Sequence, residues 1–163
     1  MGPFAFRPDA AASEIHTLGT KLGAAIGTLR KVEDVTYGVT EREEIWRDGK
    51  VALYRFRGER PPTAKVPLLI VYALVNRPYM VDLQEDRSIV RNLLSQGEDV
   101  YLIDWGYPDR SDRYVTLDDY INEWIRRCVQ VVARRHRVPK INLLGICQGG
   151  AFSLCYAAIH PQT

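Results

Sequence analysis

Apolar and polar positions along this chain change their spacing twice, and each change predicts a different kind of structure. In residues 1–40 apolar side chains recur at helical intervals (Ile15, Leu18, Leu22, Ile26, Leu29), but Gly19, Gly23 and Gly27 interrupt them, which predicts a marginal helix or adaptable arm. Two short extended runs follow, Glu43 to Arg47 and Val51 to Phe56, joined by Asp48-Gly49, a pair suited to the positive φ of a tight turn; a β-hairpin is expected. Pro61 and Pro62 mark Gly58 to Lys65 as a surface connection, and a new unit is expected after it.

From Val66 onward, continuous apolar runs alternate with helical patterns, as in strands buried on both faces of a parallel sheet. Strands are predicted over Val66 to Leu74, Val100 to Asp104 and Lys140 to Ile146. Helices are predicted over Arg87 to Gln96, over the stretch that follows the capping pattern Thr116-Leu-Asp-Asp119, and over Gln148 to Ile159. The middle helix carries Ile121, Trp124, Ile125, Cys128, Val129 and Val132 on one face and is broken by Pro139. The expected fold class is therefore α/β: residues 41–163 form a partial core whose doubly wound, mostly parallel sheet is preceded by the hairpin, and residues 1–40 form a helical or flexible amino-terminal arm. In such sheets reactive groups gather at the carboxyl ends of the strands, where Asn76, Asp104 and Cys147 fall.

Composition narrows the function classes. Twenty-two basic against 20 acidic side chains leave a net charge of only +2, which argues against a dedicated nucleic-acid binder. Three cysteines in apolar surroundings, without Cys-x-x-Cys spacing, suggest a reducing cytoplasm and no metal site. Met1 to Asp9 lacks an export pattern, and no apolar stretch approaches the ~18 residues of a membrane span.

The chemistry concentrates at Leu144-Gly145-Ile146-Cys147-Gln148-Gly149-Gly150, where a strand turns abruptly into a helix. A nucleophile held in such an elbow has a strained backbone, and glycines Gly145, Gly149 and Gly150 remove collisions with the neighbouring strand and helix. The thiol projects near a helix amino terminus, whose dipole favours thiolate, and the Gln148 N–H is placed to meet an oxyanion. The bland alternative is a small buried cysteine in an ordinary turn.

Four blocks, Val71-Tyr-Ala-Leu-Val-Asn-Arg-Pro-Tyr79, Asp99-Val-Tyr-Leu-Ile-Asp-Trp-Gly106, Thr116-Leu-Asp-Asp-Tyr120 and Gly145-Ile-Cys-Gln-Gly-Gly150, resemble in order and spacing the polyhydroxyalkanoate synthases of the α/β-hydrolase class. The two-subunit class III type is most similar, over roughly residues 35–163. The resemblance implies a cytoplasmic acyltransferase that polymerises (R)-3-hydroxyacyl-CoA, typically 3-hydroxybutyryl-CoA, releasing coenzyme A. It makes Cys147 the nucleophile that forms an acyl-enzyme, with Gln148 and Val75 as oxyanion donors and Asn76, Asp104 and Trp105 at the site's edge. No cofactor is implied, since the coenzyme A thioester is substrate. A second synthase subunit, self-association and the polymer granule surface are the implied partners.

In the family's order the acid and histidine follow the nucleophile, yet only 16 residues follow Cys147. His160 ends the elbow helix too far away to turn back, and His16 and His136 precede the box. The expectation is an incomplete, amino-terminal half of the fold with little or no polymerising activity by itself. Asp104 is expected to order its loop, Trp46 and Trp124 to pack in the core, and Cys128 and Cys155 to lie on buried faces and be unreactive. Arg126, Arg127, Arg134, Arg135, Arg137 and Lys140 are expected to form a solvated face. Competing readings are another cysteine-elbow hydrolase, a glutamine amidotransferase, whose box also reads Gly-x-Cys-x-Gly, and a catalytically silent assembly module.

Overall fold

A computed structural model describes residues 8–32 and 37–163. The chain divides into two compact units, 1–36 and 37–163. In the first, Pro8–Val32 forms one continuous helix, α1, through all three glycines. A helical glycine costs only about 1 kcal/mol relative to alanine, so alanine- and leucine-rich neighbours carry the coil through it. Most of the stretch read for an export signal, Met1 to Arg7, lies outside the described residues.

The second unit is built on a mixed five-stranded sheet of β1 (Arg42–Asp48), β2 (Val51–Phe56), β3 (Leu68–Val71), β6 (Val100–Asp104) and β7 (Asn142–Gly145), in the order β1-β2-β6-β3-β7. Strands β6, β3 and β7 run parallel, and the hairpin adds two antiparallel strands through Leu53 opposite Ile103. The hairpin is thus not a unit apart from the strands that follow it but the edge of the same sheet. Its two-residue turn is Gly49-Lys50 rather than Asp48-Gly49: Asp48 still pairs with Val51, and Gly49 supplies the positive φ of 55°.

Strand β6 has its predicted bounds, whereas β3 and β7 are shorter than their apolar runs. Pro67 has no N–H to give, so β3 starts at Leu68, and the Tyr72 carbonyl leaves the ladder to accept the Trp105 indole N–H at 2.9 Å. The predicted helix at Arg87 begins later. Asp82–Gln84 (β4) and Arg87–Ser88 (β5) form a small antiparallel pair, and α2 runs from Ile89 to Ser95. Ser88 caps α2 by accepting the Arg91 N–H at 2.9 Å, and its hydroxyl donates to buried Asp82 at 2.6 Å. Asp82 also accepts the Thr40 N–H and hydroxyl, each at 2.8 Å, which ties the entry segment to this pair.

The middle helix has two parts. Asp119–Ile125 is a π-helix, continued by the α-helix α3 (Arg126–His136). Tyr120, Ile121, Trp124 and Ile125 all pack toward the sheet, and the wider coil holds these four large side chains in one arc. The Thr116–Asp119 capping pattern is realised: Asp119 accepts the Thr116 N–H at 2.7 Å, and Thr116 Oγ1 accepts the Asp119 N–H at 3.4 Å. Gln148–Ile159 is α4, as the pattern predicts.

Alternation along β3 and β6 sorts the core. Leu69, Val71, Tyr101 and Ile103 meet the π-helix, α3 and α4 through Ile125, Val129, Phe152 and Tyr156. Ile70, Val100 and Leu102 meet α2 through Val90. Burial on both faces explains the unbroken apolar runs. At the amino end of β6, buried Asp99 accepts two hydrogen bonds from Arg55, both 2.8 Å, and lies 3.4 Å from His136 Nε2. Tyr101 shares a 2.8 Å hydrogen bond with the same nitrogen, and burial, then the Asp99 charge, pushes its phenol up to about 12.

Burial lowers the pKa of His136, and the Arg55 and Arg135 cations add to this against the opposing pull of Asp99. A histidine whose folded pKa lies below its unfolded 6.5 stabilises the fold above 6.5, and that contribution is lost as pH falls toward the folded value. The urea midpoint should therefore fall between about pH 7.5 and 5.5, and less steeply in His136→Gln, which keeps a hydrogen-bonding side chain but cannot titrate. Equal slopes in the two proteins would show that His136 does not drive the loss.

Candidate active site

The connections leaving two neighbouring parallel strands diverge. The chain leaves β3 toward α2 on one face of the sheet, whereas β7 feeds α4 on the other. Divergence of this kind opens a crevice at the carboxyl ends of the two strands, the usual place for chemistry in open α/β sheets. The loop at 72–77 forms one wall and the β7–α4 elbow the other.

Cys147 stands at the elbow with φ 57° and ψ −125°, a conformation that a residue with a side chain rarely adopts. The backbone around it explains why the strain is held. The Ile146 N–H bonds to the Val71 carbonyl at 3.0 Å, so the chain remains on the β3 ladder up to the residue before the cysteine. The Gly149 N–H then returns to the Ile146 carbonyl at 3.0 Å, and the helix has begun. A Cβ on Gly149 would overlap the Val71 carbonyl, and one on Gly145 would lie 2.5 Å from the Gly150 Cα. Gly150 differs from its two partners in the motif. Its nearest contact would be an ordinary 3.5 Å, so no close approach requires glycine there.

The Cys147 side chain is exposed at the crevice, not sealed in the core. The Gln148 N–H, at the first turn of α4, has no hydrogen-bond partner among the described residues, and neither has that of Val75. Between them the Gln148 side-chain oxygen accepts the Leu74 N–H at 3.2 Å, joining the two walls. Val75 is 82% exposed and Asn76 is also exposed. Asp104 accepts the Gly106 N–H at 3.0 Å and so orders its own loop. Trp105 is buried, edge-on to Tyr120, and is part of the core rather than of an open pocket wall. Arg77 stacks over Tyr107, 3.0 Å from the ring centroid, and bonds the Gly106 carbonyl at 3.3 Å, joining the loops after β3 and β6.

The histidines of this unit are engaged elsewhere. His160 Nε2 bonds Asn122 at 2.8 Å and His136 belongs to the Asp99 cluster. Among the described residues no titratable side chain hydrogen-bonds Cys147, and no group of three or more His, Cys, Asp or Glu could hold a metal ion. Trp46 and Trp124 pack against the core, and the Trp124 indole N–H donates to Asp48 at 3.2 Å. The basic run from Arg126 to Lys140 is exposed throughout. One cysteine departs from expectation. Cys128 is buried, but Cys155 is exposed, because α4 turns only Phe152, Ser153 and Tyr156 of its central turns inward and leaves position 155 outside.

Periodicity did not reveal the Gln148 side chain or the Arg77–Tyr107 stack, since both join segments distant in sequence. A polar residue in the first turn of an otherwise apolar helix was the one available signal.

Two expectations follow from this geometry. Gly149→Ala and Gly145→Ala should each lower stability by about 3 kcal/mol or more, whereas Gly150→Ala should stay within about 1 kcal/mol in urea unfolding. Equal costs at the three positions would contradict the close backbone approach. Under native conditions an alkylating reagent should modify Cys147 and Cys155 but leave Cys128, whose thiol burial pushes up, until the protein unfolds; intact mass counts the adducts.

Residues 66–163 match the family model for the alpha/beta hydrolase fold. The chain is 55% identical over 164 residues to the poly(3-hydroxyalkanoate) polymerase subunit PhaC of Allochromatium vinosum, covering 99% of the chain and 46% of that protein. It is 55% identical to the Synechocystis subunit of the same name, covering 80% of the chain and 34% of that protein, and 32% identical to the one from Cupriavidus necator, covering 90% and 27%. The chain thus spans less than half the length of each of these relatives. Among solved structures, the Francisella virulence factor BioJ superposes with a TM-score of 0.54 at 11% identity, over 86% of this chain and 46% of that one. A candidate lipase of Acinetobacter baumannii gives 0.52 at 18%, over 76% and 38%. A two-faced sheet, a strained cysteine elbow at its switch point and a family model that covers its core agree: the chain belongs to the alpha/beta hydrolase fold family.

Proposed function

We propose that this chain carries the nucleophile of a polyhydroxyalkanoate synthase and that Cys147 takes an acyl group from (R)-3-hydroxyacyl-CoA, typically the 3-hydroxybutyryl thioester. The observation that carries the proposal is an exposed cysteine at φ 57° in a chain 55% identical to polymerase subunits. The Cys147 sulfur attacks the thioester carbonyl and a sulfur–carbon bond forms. The carbonyl oxygen becomes an oxyanion between the Gln148 and Val75 N–H groups, and collapse expels coenzyme A as its thiolate, which takes up the proton. The hydroxyl of a second hydroxyacyl-CoA then attacks the new thioester carbonyl; an ester bond forms as the Cys147 sulfur–carbon bond breaks, and the hydroxyl proton passes through a base to the released Cys147 thiolate, so that the polyester grows by one unit. Coenzyme A enters as part of the substrate, and no cofactor is needed for either step.

A base is required to deprotonate that hydroxyl, and the histidines at 136 and 160 hydrogen-bond elsewhere. With no base beside Cys147 among the described residues of this unit, the chain should accept an acyl group without sustained polymerisation. In the complete enzyme a second synthase subunit, self-association and the granule surface are the partners that accompany the activity, in the cytoplasm. No helix among the described residues is long and apolar enough to cross a membrane.

Incubation with (R)-3-hydroxybutyryl-CoA should release coenzyme A and add one acyl group to the peptide containing Cys147, with none in Cys147→Ala. Acylation that persists in Cys147→Ala, or that falls on Cys155, would refute the assignment. Continued polymer growth by the unassisted chain would refute the need for an added base.

A further inference from the structure

The contact between the two walls of the crevice is made by a side chain of the elbow itself. Gln148 Oε1 accepts the N–H of Leu74 at 3.2 Å, a half-buried hydrogen bond that spans 74 residues of sequence. The next amide along the loop, that of Val75, has no partner among the described residues, and the Gln148 amide is also unpaired. Two open N–H groups therefore flank one bond between their own segments. The rest of the loop is held from its other side: the Tyr72 carbonyl takes the Trp105 indole N–H, and Arg77 stacks on Tyr107. The stretch from Leu74 to Asn76 has Gln148 as its tie to the elbow.

We propose that the Gln148 carboxamide is a positioning residue that sets the Val75 N–H against its own backbone N–H, so that one residue supplies half of the oxyanion site directly and fixes the other half through its side chain. The proposal rests on the acyl-transfer chemistry of Cys147 given above. Its physical basis is the sensitivity of such sites to placement: donors must meet the position the oxyanion will occupy, and a displacement of ~1 Å costs on the order of a hundredfold in rate. Val75 is exposed, so no packing of its own side chain restrains this amide. An amide acceptor suits the task because it bonds the Leu74 N–H without placing a negative charge beside a developing oxyanion.

The test separates a step that develops an oxyanion from one that does not. Acylation of Cys147 by (R)-3-hydroxybutyryl-CoA builds negative charge on a carbonyl oxygen, whereas its alkylation by iodoacetamide does not. Gln148→Met, close in volume but lacking the acceptor, should lower the acylation rate by about a hundredfold and leave the alkylation rate unchanged. Amide hydrogen exchange at Leu74 should accelerate in this variant and remain slow in Gln148→Glu, which keeps the acceptor. Gln148→Asn, one methylene shorter, should behave as the methionine variant does and serves if that protein folds poorly. An unchanged ratio of acylation to alkylation in both the Met and Asn variants would overturn the proposal, as would unchanged Leu74 exchange. If the parent chain takes no acyl group, the synthase assignment fails and the catalytic role of Gln148 with it, while Leu74 exchange still decides whether the tie exists.

Discussion

The carbonyl of Val71 is the point on which the elbow depends. It accepts the Ile146 N–H at the end of the parallel ladder and leaves no room for a side chain at position 149. The helix that follows β7 must therefore begin in backbone contact with the end of β3. Cys147, caught between the last ladder bond and the first helical bond, has no relaxed conformation available and adopts φ 57°. Its exposure, and the open amide that follows it, are consequences of the same turn.

A turn this tight needs a rigid base, which the sheet provides. Strands β3 and β6 are buried on both faces, so neither can shift without opening two cores. The hairpin lengthens the sheet on the side away from the elbow, and the salt bridge from Arg55 of β2 to Asp99 fastens it at the amino end of β6. Structural polar groups thus concentrate at the end of the parallel strands opposite Cys147. There Asp99 is held by Arg55 and His136, next to a buried Glu98 oxygen that has no partner among the described residues.

Side chains join the crevice walls in addition to their packing and backbone contacts. Gln148 links the elbow to the loop after β3, and Arg77 and Trp105 link that loop to the one after β6. Asp104 illustrates how location alone misleads. It ends a central strand at the reactive edge, yet its carboxylate orders the following turn through Gly106.

Much of this was legible in the amino-acid order. Apolar runs of the length of β6, the spacing of buried positions on α3 and the glycines beside Cys147 each report a local demand: burial on two faces, an inward stripe, or a close backbone approach. Such demands are met by neighbours in the chain, and so they leave a pattern there. The membership of the hairpin in the main sheet, the π coil at Asp119–Ile125, the outward placement of Cys155 and the Gln148–Leu74 bond left no such pattern. Each is decided by what a distant segment presents once the chain is folded, which strand edge is free, how many large side chains share one arc, which amide lies within reach. By itself the sequence determined most of the elements and the glycine-flanked elbow at Cys147; the tertiary structure alone decided which groups surround that residue, because those contacts form between segments that sequence spacing does not relate.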